Sequence, residues 1–286
     1  MLVSLASSDL FKAYYELEPS RVQSIMAFIM LPWSIKILYG LISDNFPICG
    51  SRRKSYLLVA ALMQFLSMVL MTIYSRDNLN LAIALLFMSN LSVAIADVIV
   101  DSLMVIQSRK YPEEGSEELN SFSWISLSFG GFCGSIAAAF LTESYEPKYC
   151  FLYSCIMGFV IAFVAYRLNI QIEREGESDL DGNRTLCQDI RRSAGEIKEA
   201  CTMKEYYRVI LYLTIGALCV PSFSQFGYYF MLDEVHLSKF TYSMLTVLAY
   251  ICLMIGSVAY NRCFRETEYR KLIIIDALIT IFFCPF

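Results

Sequence analysis

The stretch LPWSIKILYGLISD, Leu31–Asp44, combines an apolar run with two charged side chains. A helix that crosses the hydrocarbon core of a bilayer needs about 20 mostly apolar residues, and the run at 21–43 around this stretch meets that length. Lys36 nevertheless stands halfway along the stretch, Asp44 ends it, and three basic residues follow at 52–54. The sequence therefore predicts a membrane helix whose interior carries a lysine.

The composition of the whole chain agrees with a membrane protein. Of 286 residues, 57% are apolar and 17% are charged, whereas soluble domains carry about 25% charged residues. The formal net charge of −4 lacks the basic excess that a nucleic-acid partner requires. The ten cysteines show no CxxC or Cys/His ligand spacing, so we expect neither a metal site nor a cofactor.

Hydropathy divides the chain into helical spans. Seven complete spans are predicted, at 21–43, 55–74, 81–107, 121–142, 149–168, 206–231 and 238–260. An incomplete apolar run ends near Leu10, and another, LIIIDALITIFFCPF, reaches Phe286. We therefore expect an all-α polytopic bundle, cut at both ends.

One long polar segment, 169–205, separates two groups of spans. We expect an N-terminal bundle at 1–168, a cytosolic loop at 169–205, and the start of a C-terminal bundle at 206–286. If the loop after Asp44 is cytosolic, seventeen Lys and Arg residues lie on the cytosolic side and Lys36 lies in the membrane, as the positive-inside rule favours. The five basic residues expected on the other side are Lys12, Arg21, Arg76, Lys148 and Lys239.

Three ionisable side chains lie within the predicted spans. Asp97 and Asp101 are four residues apart and share a helix face, at depths that bracket that of Lys36. An ionisable group near the bilayer centre costs about 2.5–3.5 kcal/mol, so each needs a partner, water or a function. One interpretation is a structural ion pair or a lysine that snorkels to the surface. The other is a water-filled pathway for substrate or protons.

Three further patterns suggest sites. At the end of the first complete span, a glycine, an aspartate and two arginines indicate a charge latch, or basic residues that only mark the cytosolic face; these residues are Gly40, Asp44, Arg52 and Arg53. Small residues at 130–135 predict close helix packing. A segment after Pro221 offers polar groups and flat rings for binding, or a kinked helix with packed aromatics; its members are Ser222, Ser224, Gln225, Tyr228 and Tyr229.

The spacing around Asp44 resembles the loop between helices 2 and 3 of the major facilitator superfamily. More narrowly, LPWSIKILYGLISDNFPICGSRRKSY resembles the signature of the folate-biopterin transporter family. ADVIVDSLMV and VPSFSQFGYYFMLDEVHLS resemble the fourth and seventh helices of that family. Ile37 stands where the family usually has proline, which we expect to remove a helix kink. The resemblance implies two six-helix halves with a substrate site near the midplane between them.

The resemblance implies a secondary transporter for a folate or pterin, with coupled protons as an open question. We expect Lys36 to meet the folate carboxylates, Tyr228 and Tyr229 to stack on the heterocycle, and the nearby polar groups to bond its edge. An intramembrane protease is disfavoured because both aspartates lie on one helix. The remaining alternative is a non-transporting membrane sensor or an inactive fragment. The expected location is the plasma membrane, with an organelle membrane as the alternative.

Overall fold

The structure is a computed structural model that describes residues 2–48, 51, 53–109, 115–167, 192, 195, 198–199, 201–219, 223–265 and 267–283. Within these ranges every named element is a helix, and the single β-bridge joins Ile48 to Ser51. This confirms the predicted all-α polytopic bundle. Most of the predicted loop at 169–205 lies outside the described residues, so its boundaries remain a prediction.

The helices are numbered in chain order. They are α1 (Leu2–Asp9, continued by a π-helical turn, Leu10–Tyr14), α2 (Pro19–Ile29), α3 (Leu31–Ser34), α4 (Lys36–Asn45), α5 (Lys54–Tyr74), α6 (Leu79–Ser108), α7 (Gly115–Ser144), α8 (Pro147–Arg167), α9 (Lys204–Cys219), α10 (Ser224–Asp233), α11 (Lys239–Ala259, continued by a π-helical turn, Tyr260–Phe264) and α12 (Tyr269–Phe283).

Five of the described helices are long and apolar enough to cross a membrane: α5, α6, α7, α8 and α11 with its π-helical turn. The shortest of them have 21 residues, which at 1.5 Å per residue is about 30 Å, the thickness of the hydrocarbon core. These five helices coincide with five of the seven predicted spans. Apolar patterning therefore predicted these spans correctly.

The other two predicted spans are interrupted helices. The run at 21–43 is divided among α2, α3 and α4, with breaks at Met30 and Ile35. Pro32 occupies the first turn of α3, and the N–H of Ile35 donates to the carbonyl of Pro32 three residues back. The expectation that Ile37 abolishes a kink is wrong, because the break precedes that residue. The run at 206–231 is divided between α9 and α10.

The helices enclose one main core of apolar side chains. Phe11, Met68, Leu86 and Phe151 are almost fully buried there and connect α5, α6 and α8 to the π-helical turn after α1. Gly158 allows the close approach of α8 to α5, since a methyl group at its α-carbon would lie 3.2 Å from the backbone nitrogen of Phe65. Many large apolar side chains elsewhere are exposed, as expected for a bundle surrounded by lipid.

The bundle has two ends that differ in their charged residues. Arg76 and Lys148 line a cavity of about 570 Å³ together with Lys239, and Lys12 lines an adjoining cavity. Four of the five basic residues predicted for the non-cytosolic side therefore cluster at one end. We name this the Arg76 end, and we name the opposite end, which carries Asp44 and Arg53, the Arg53 end.

Candidate functional site

Lys36 and Asp97 form an ion pair that joins α4 to α6. The Lys36 Nζ contacts the Asp97 Oδ2 and also lies 4.6 Å from the centroid of the Trp33 ring. The Trp33 Nε1 donates to the Asn90 Oδ1 at 3.4 Å. The opposite charges that the sequence placed at one level do meet, and the structure adds an indole and an amide that sequence reasoning missed.

This group, Trp33, Lys36, Asn90 and Asp97, is named the α4–α6 cluster. The side chains of Lys36 and Asp97 are 32% and 36% exposed, so the pair is neither sealed in the core nor free at the surface. A cation that is accessible beside an indole face can bind an anionic group attached to a flat heterocycle, because charge and ring stacking act at one place. In the structure this cation is paired with the carboxylate of Asp97.

Asp101 lies one helical turn beyond Asp97 and faces a different space. It lines a cavity of about 470 Å³ with Ser108, Glu117 and Asn120. The Arg265 Nε donates to the Glu117 Oε2 at 2.7 Å in the first turn of α7. The two carboxylates of the predicted D-x-x-x-D pattern therefore have different surroundings, since Asp97 is paired with a lysine while Asp101 borders a cavity.

The predicted charge latch is partly assembled at the Arg53 end. The Arg53 Nη2 lies 3.7 Å from the Asp44 Oδ1, and its Nε donates to the Ser102 Oγ at 3.1 Å. Arg53 thus connects the loop before α5 to the end of α4 and to α6. A methyl group at Gly40 would lie 3.7 Å from Val98 Cγ1, which is ordinary van der Waals contact. Arg52 lies outside the described residues.

The polar group at the start of α10 contacts the first two helices. The buried Gln225 accepts a hydrogen bond from the Ser8 Oγ at 3.1 Å through its Oε1, and its backbone N–H donates to the Gln23 Oε1 at 3.3 Å. Ser224 is exposed at the first position of α10. Ser222 lies outside the described residues. Gln225 therefore joins helices that are more than 200 residues apart in sequence.

Tyr228 and Tyr229 belong to the main core rather than to an open surface. They are 4% and 8% exposed, and the Tyr229 hydroxyl donates to the Leu17 carbonyl at 2.7 Å. Tyr228 packs edge-on against Tyr242 with ring centroids 5.1 Å apart. The cation beside them is Lys12, whose Nζ lies 4.6 Å from the Tyr229 ring centroid. Lys36, which the sequence pattern grouped with these rings, contacts Trp33 and Asp97 instead.

Sequence reasoning missed the paired charges at the Arg76 end. Lys12 Nζ lies 2.6 Å from Asp233 Oδ1, and Lys239 Nζ lies 2.6 Å from Asp9 Oδ1. Asp9 and Lys12 are three residues apart beside a helix end, and Asp233 and Lys239 flank the α10–α11 loop. The position of these charges at helix ends was the signal available in the sequence, but it does not indicate which charges form pairs.

Glu146 forms a third charged contact at this end. It lies 2.7 Å from Lys148 and 3.2 Å from Arg76. Hydrogen bonds from Lys148 and then from Arg76 lower the pKa of the Glu146 carboxyl. Both cations of this group belong, like Glu146, to the part of the chain before residue 168.

The described residues include no cluster of three or more His, Cys, Asp or Glu that could bind a metal ion.

One polar network lies inside the spans, where the Gln64 Oε1 accepts from the Ser89 Oγ at 2.9 Å and from the Ser92 Oγ at 2.8 Å. This network joins α5 to α6.

Comparison with known proteins gives a consistent family. The model of the BT1 family matches residues 1–286. The probable folate-biopterin transporter 7 of Arabidopsis thaliana is 25% identical over 93% of this chain and 60% of its own length. Folate transporter 1 of Plasmodium falciparum (isolate 3D7) is 25% identical over 99% of this chain and 54% of its own length.

A bacterial relative matches a shorter region at higher identity. The folate-biopterin transporter of Synechocystis is 31% identical over 59% of this chain and 34% of its own length. This chain therefore spans between about half and three fifths of the length of the first two relatives. No solved structure matches the chain.

Proposed function

This chain belongs to the BT1 family, and from that premise we propose that the whole protein is a secondary transporter that moves a folate or pterin across a membrane. The names of relatives in a plant, a parasite and a cyanobacterium support this substrate class. The five continuous apolar helices support a multi-pass membrane protein. The Lys36–Asp97 pair, which joins the interrupted helix α4 to the span α6, is the structural observation that carries the proposal.

The α4–α6 cluster is proposed as part of the substrate pathway. Lys36 supplies a cation, Trp33 a ring face, and Asn90 an amide that can bond the edge of a heterocycle. A folate adds carboxylates to its pterin ring, and a carboxylate that displaces Asp97 would bind Lys36 directly. Gln225 and Ser224 are proposed as a second polar group of the pathway, beside the buried rings of Tyr228 and Tyr229. Ser222 is expected to belong to the same group and lies outside the described residues.

Asp101 is proposed as the group that carries a coupled proton. It borders a cavity at the Arg53 end together with Glu117, so a proton has a route to it that does not cross the paired Lys36. A carboxyl group in a membrane span that borders an accessible cavity can gain and lose a proton as the cavity changes its exposure. This role is separate from substrate binding and can be tested separately.

The proposed topology places the Arg53 end in the cytosol, where Asp44 and Arg53 form a latch beside Gly40. Arg52, the other predicted member, lies outside the described residues. Residues 1–168 and 206–286 then belong to two bundles connected by a cytosolic loop at 169–205. The excess of basic residues on that side supports the assignment. The plasma membrane is the proposed location, although some relatives are named as chloroplastic.

Uptake of labelled folate and labelled biopterin tests the proposal in cells that express the full-length protein. Lys36→Ala should lower folate uptake by about tenfold or more, which is about 1.4 kcal/mol of lost binding, and should lower biopterin uptake less because biopterin has no carboxylate. Lys36→Arg should retain folate uptake. Lys148→Ala, at the Arg76 end, serves as the control.

Two outcomes would contradict the proposal. Equal loss of folate and biopterin uptake in Lys36→Ala would remove the carboxylate assignment. Absence of uptake of either compound by the unaltered protein, with normal amounts at the membrane, would remove the transport function. Binding of either compound without uptake would favour the non-transporting sensor.

A further inference from the structure

Four charged residues at the Arg76 end join the two parts of the chain that flank residues 168–191. The earlier part contributes Asp9 and Lys12, and the later part contributes Lys239 and Asp233. Each part therefore offers one cation and one anion to the other. The four residues are named the charge clasp.

The geometry of the clasp is close on both sides. The Lys12 Nζ donates to the Asp233 Oδ1 at 2.6 Å, and the Lys239 Nζ lies 2.6 Å from the Asp9 Oδ1 at ion-pair distance without hydrogen-bond alignment. Reciprocal charges fix the relative position of two surfaces, because a shift in either direction separates both pairs at once. The clasp thus specifies one closed arrangement.

Burial makes the clasp sensitive to the loss of either partner. The side chains of Asp9 and Lys12 are only 5% and 17% exposed, whereas those of Lys239 and Asp233 are 35% and 55% exposed. Removing the partner of a buried charge is strongly unfavourable unless water replaces it. If the two parts separate at this end, water reaches Asp9 and Lys12 and offsets the lost pairing.

The contacts that surround the clasp include polar ones beside packed aromatic rings, among them Phe140 and Phe240 with ring centroids 5.7 Å apart. The N–H of Phe240 at the start of α11 donates to the Glu143 Oε2 of α7 at 3.1 Å. Deeper in the bundle, Ser8 donates to Gln225. Polar contacts exchange for water at modest net cost, so the ion pairs and hydrogen bonds at this end can separate and re-form reversibly.

Along α10, the clasp lies closer to the Arg76 end of the bundle than Gln225 does. Asp233 follows Gln225 by eight residues, which corresponds to about 12 Å of helix. A ligand that approaches the Gln225 group from the Arg76 end therefore has to pass the clasp.

We propose that the charge clasp is the gate that closes the Arg76 end of the pathway between the two parts of the chain. The clasp separates when this end admits or releases substrate, and it re-forms when the end closes. This inference rests on the proposed transport function for its substrate, but the separation of the two parts can be measured without transport.

Reducible cross-linking tests the gate in the full-length protein with its native cysteines replaced. The double variant Lys12→Cys, Asp233→Cys is treated with a bis-methanethiosulfonate about as long as the two lost side chains. A linker of this length is used because a direct disulfide requires α-carbons closer than about 7 Å. The cross-link should abolish folate uptake, and a reductant should restore it. Arg76→Cys with Glu146→Cys is the matched control, since both residues lie in the earlier part and 3.2 Å apart; its cross-link should leave uptake unchanged.

A second readout does not depend on transport. Gln225→Cys is added to the cross-linkable pair, and an impermeant thiol reagent is applied from the Arg76 side. Labelling of position 225 should slow at least about fivefold while the clasp is cross-linked, a difference of about 1 kcal/mol in the opening equilibrium. If the unaltered protein transports neither compound, the proposed function fails while this labelling still reports on the gate.

A charge exchange tests the pair with the native cysteines intact. Lys12→Asp or Asp233→Lys alone should reduce uptake at least about tenfold, and the two together should recover at least about half of it, as expected for residues that act chiefly on each other. Continued uptake through the cross-linked clasp, unchanged labelling of position 225, or failure of the cross-link to form would each overturn the gate.

Discussion

The ring of Tyr250 covers the α-carbon of Gly131: a methyl group built there would lie 2.2 Å from the Tyr250 Cε1. This relationship joins α7 to α11 and therefore connects the two parts of the chain through close packing. The neighbouring Gly130 has nothing within 4 Å of the same position. The small-residue face predicted from the sequence thus contains one glycine that the packing requires and one that it does not.

Gly131→Ala should lower the stability of the protein because the Tyr250 ring has to move. Overpacking of this kind costs about 1–3 kcal/mol. Gly130→Ala is the matched control, since both substitutions change helix propensity equally by about 1 kcal/mol. Thermal unfolding in detergent should give a lower midpoint for Gly131→Ala than for Gly130→Ala. Equal midpoints would show that the ring moves without cost.

Lys36 and Asp97 should show energetic coupling. Lys36→Met and Asp97→Leu each leave a charge in the membrane without its partner, whereas the double variant leaves neither. Because both side chains are about a third exposed, water reduces the coupling to about 1–2 kcal/mol. The measurement is a double-mutant cycle of thermal unfolding. Additive effects of the two substitutions on unfolding would contradict energetic coupling between Lys36 and Asp97.

The network around Gln64 should contribute to the packing of α5 on α6. Gln64→Leu removes the acceptor for Ser89 and Ser92, and hydrogen bonds between membrane helices contribute about 0.5–2 kcal/mol. Replacing Ser89 with alanine in the Gln64→Leu protein should recover part of the loss, because the Ser89 hydroxyl is then no longer present without its acceptor, whereas the Ser92 hydroxyl keeps the Ser89 carbonyl as an acceptor at 2.7 Å. A further loss of the same size would refute this account. Unfolding midpoints of the three proteins decide it.

Glu146 should make stability depend on acidic pH. Hydrogen bonds from Lys148 and Arg76 lower the pKa of its carboxyl in the folded state. The stabilisation is therefore present above the ordinary Glu value of 4.5 and is lost as the pH falls through the lower pKa of the folded state. The unfolding midpoint of the unaltered protein should exceed that of Glu146→Gln at pH 7, and the difference should shrink below pH 4.5. A difference that grows on acidification would reverse this sign.

Hydropathy predicted the five continuous spans because the bilayer sets one required length, which is a local property of the sequence. It also placed Lys36 and Asp97 at one level, because depth follows from the position of a residue along its helix. It did not reveal the breaks at Met30 and Ile35, since an interrupted helix and a continuous one have the same summed hydropathy. Trp33 remained unassigned for the same reason, as its contact with Lys36 depends on that break.

The membrane class of the chain, most of its spans and the membership of Lys36 and Asp97 in one layer thus follow from composition and pattern alone. The tertiary structure alone decided that Lys12 meets Asp233, that Asp9 meets Lys239, and that Tyr228 and Tyr229 are packed in the core. The physical reason is distance along the chain. Lys12 and Asp233 are 221 residues apart, and the register between their helices is fixed by side-chain packing that no local pattern encodes.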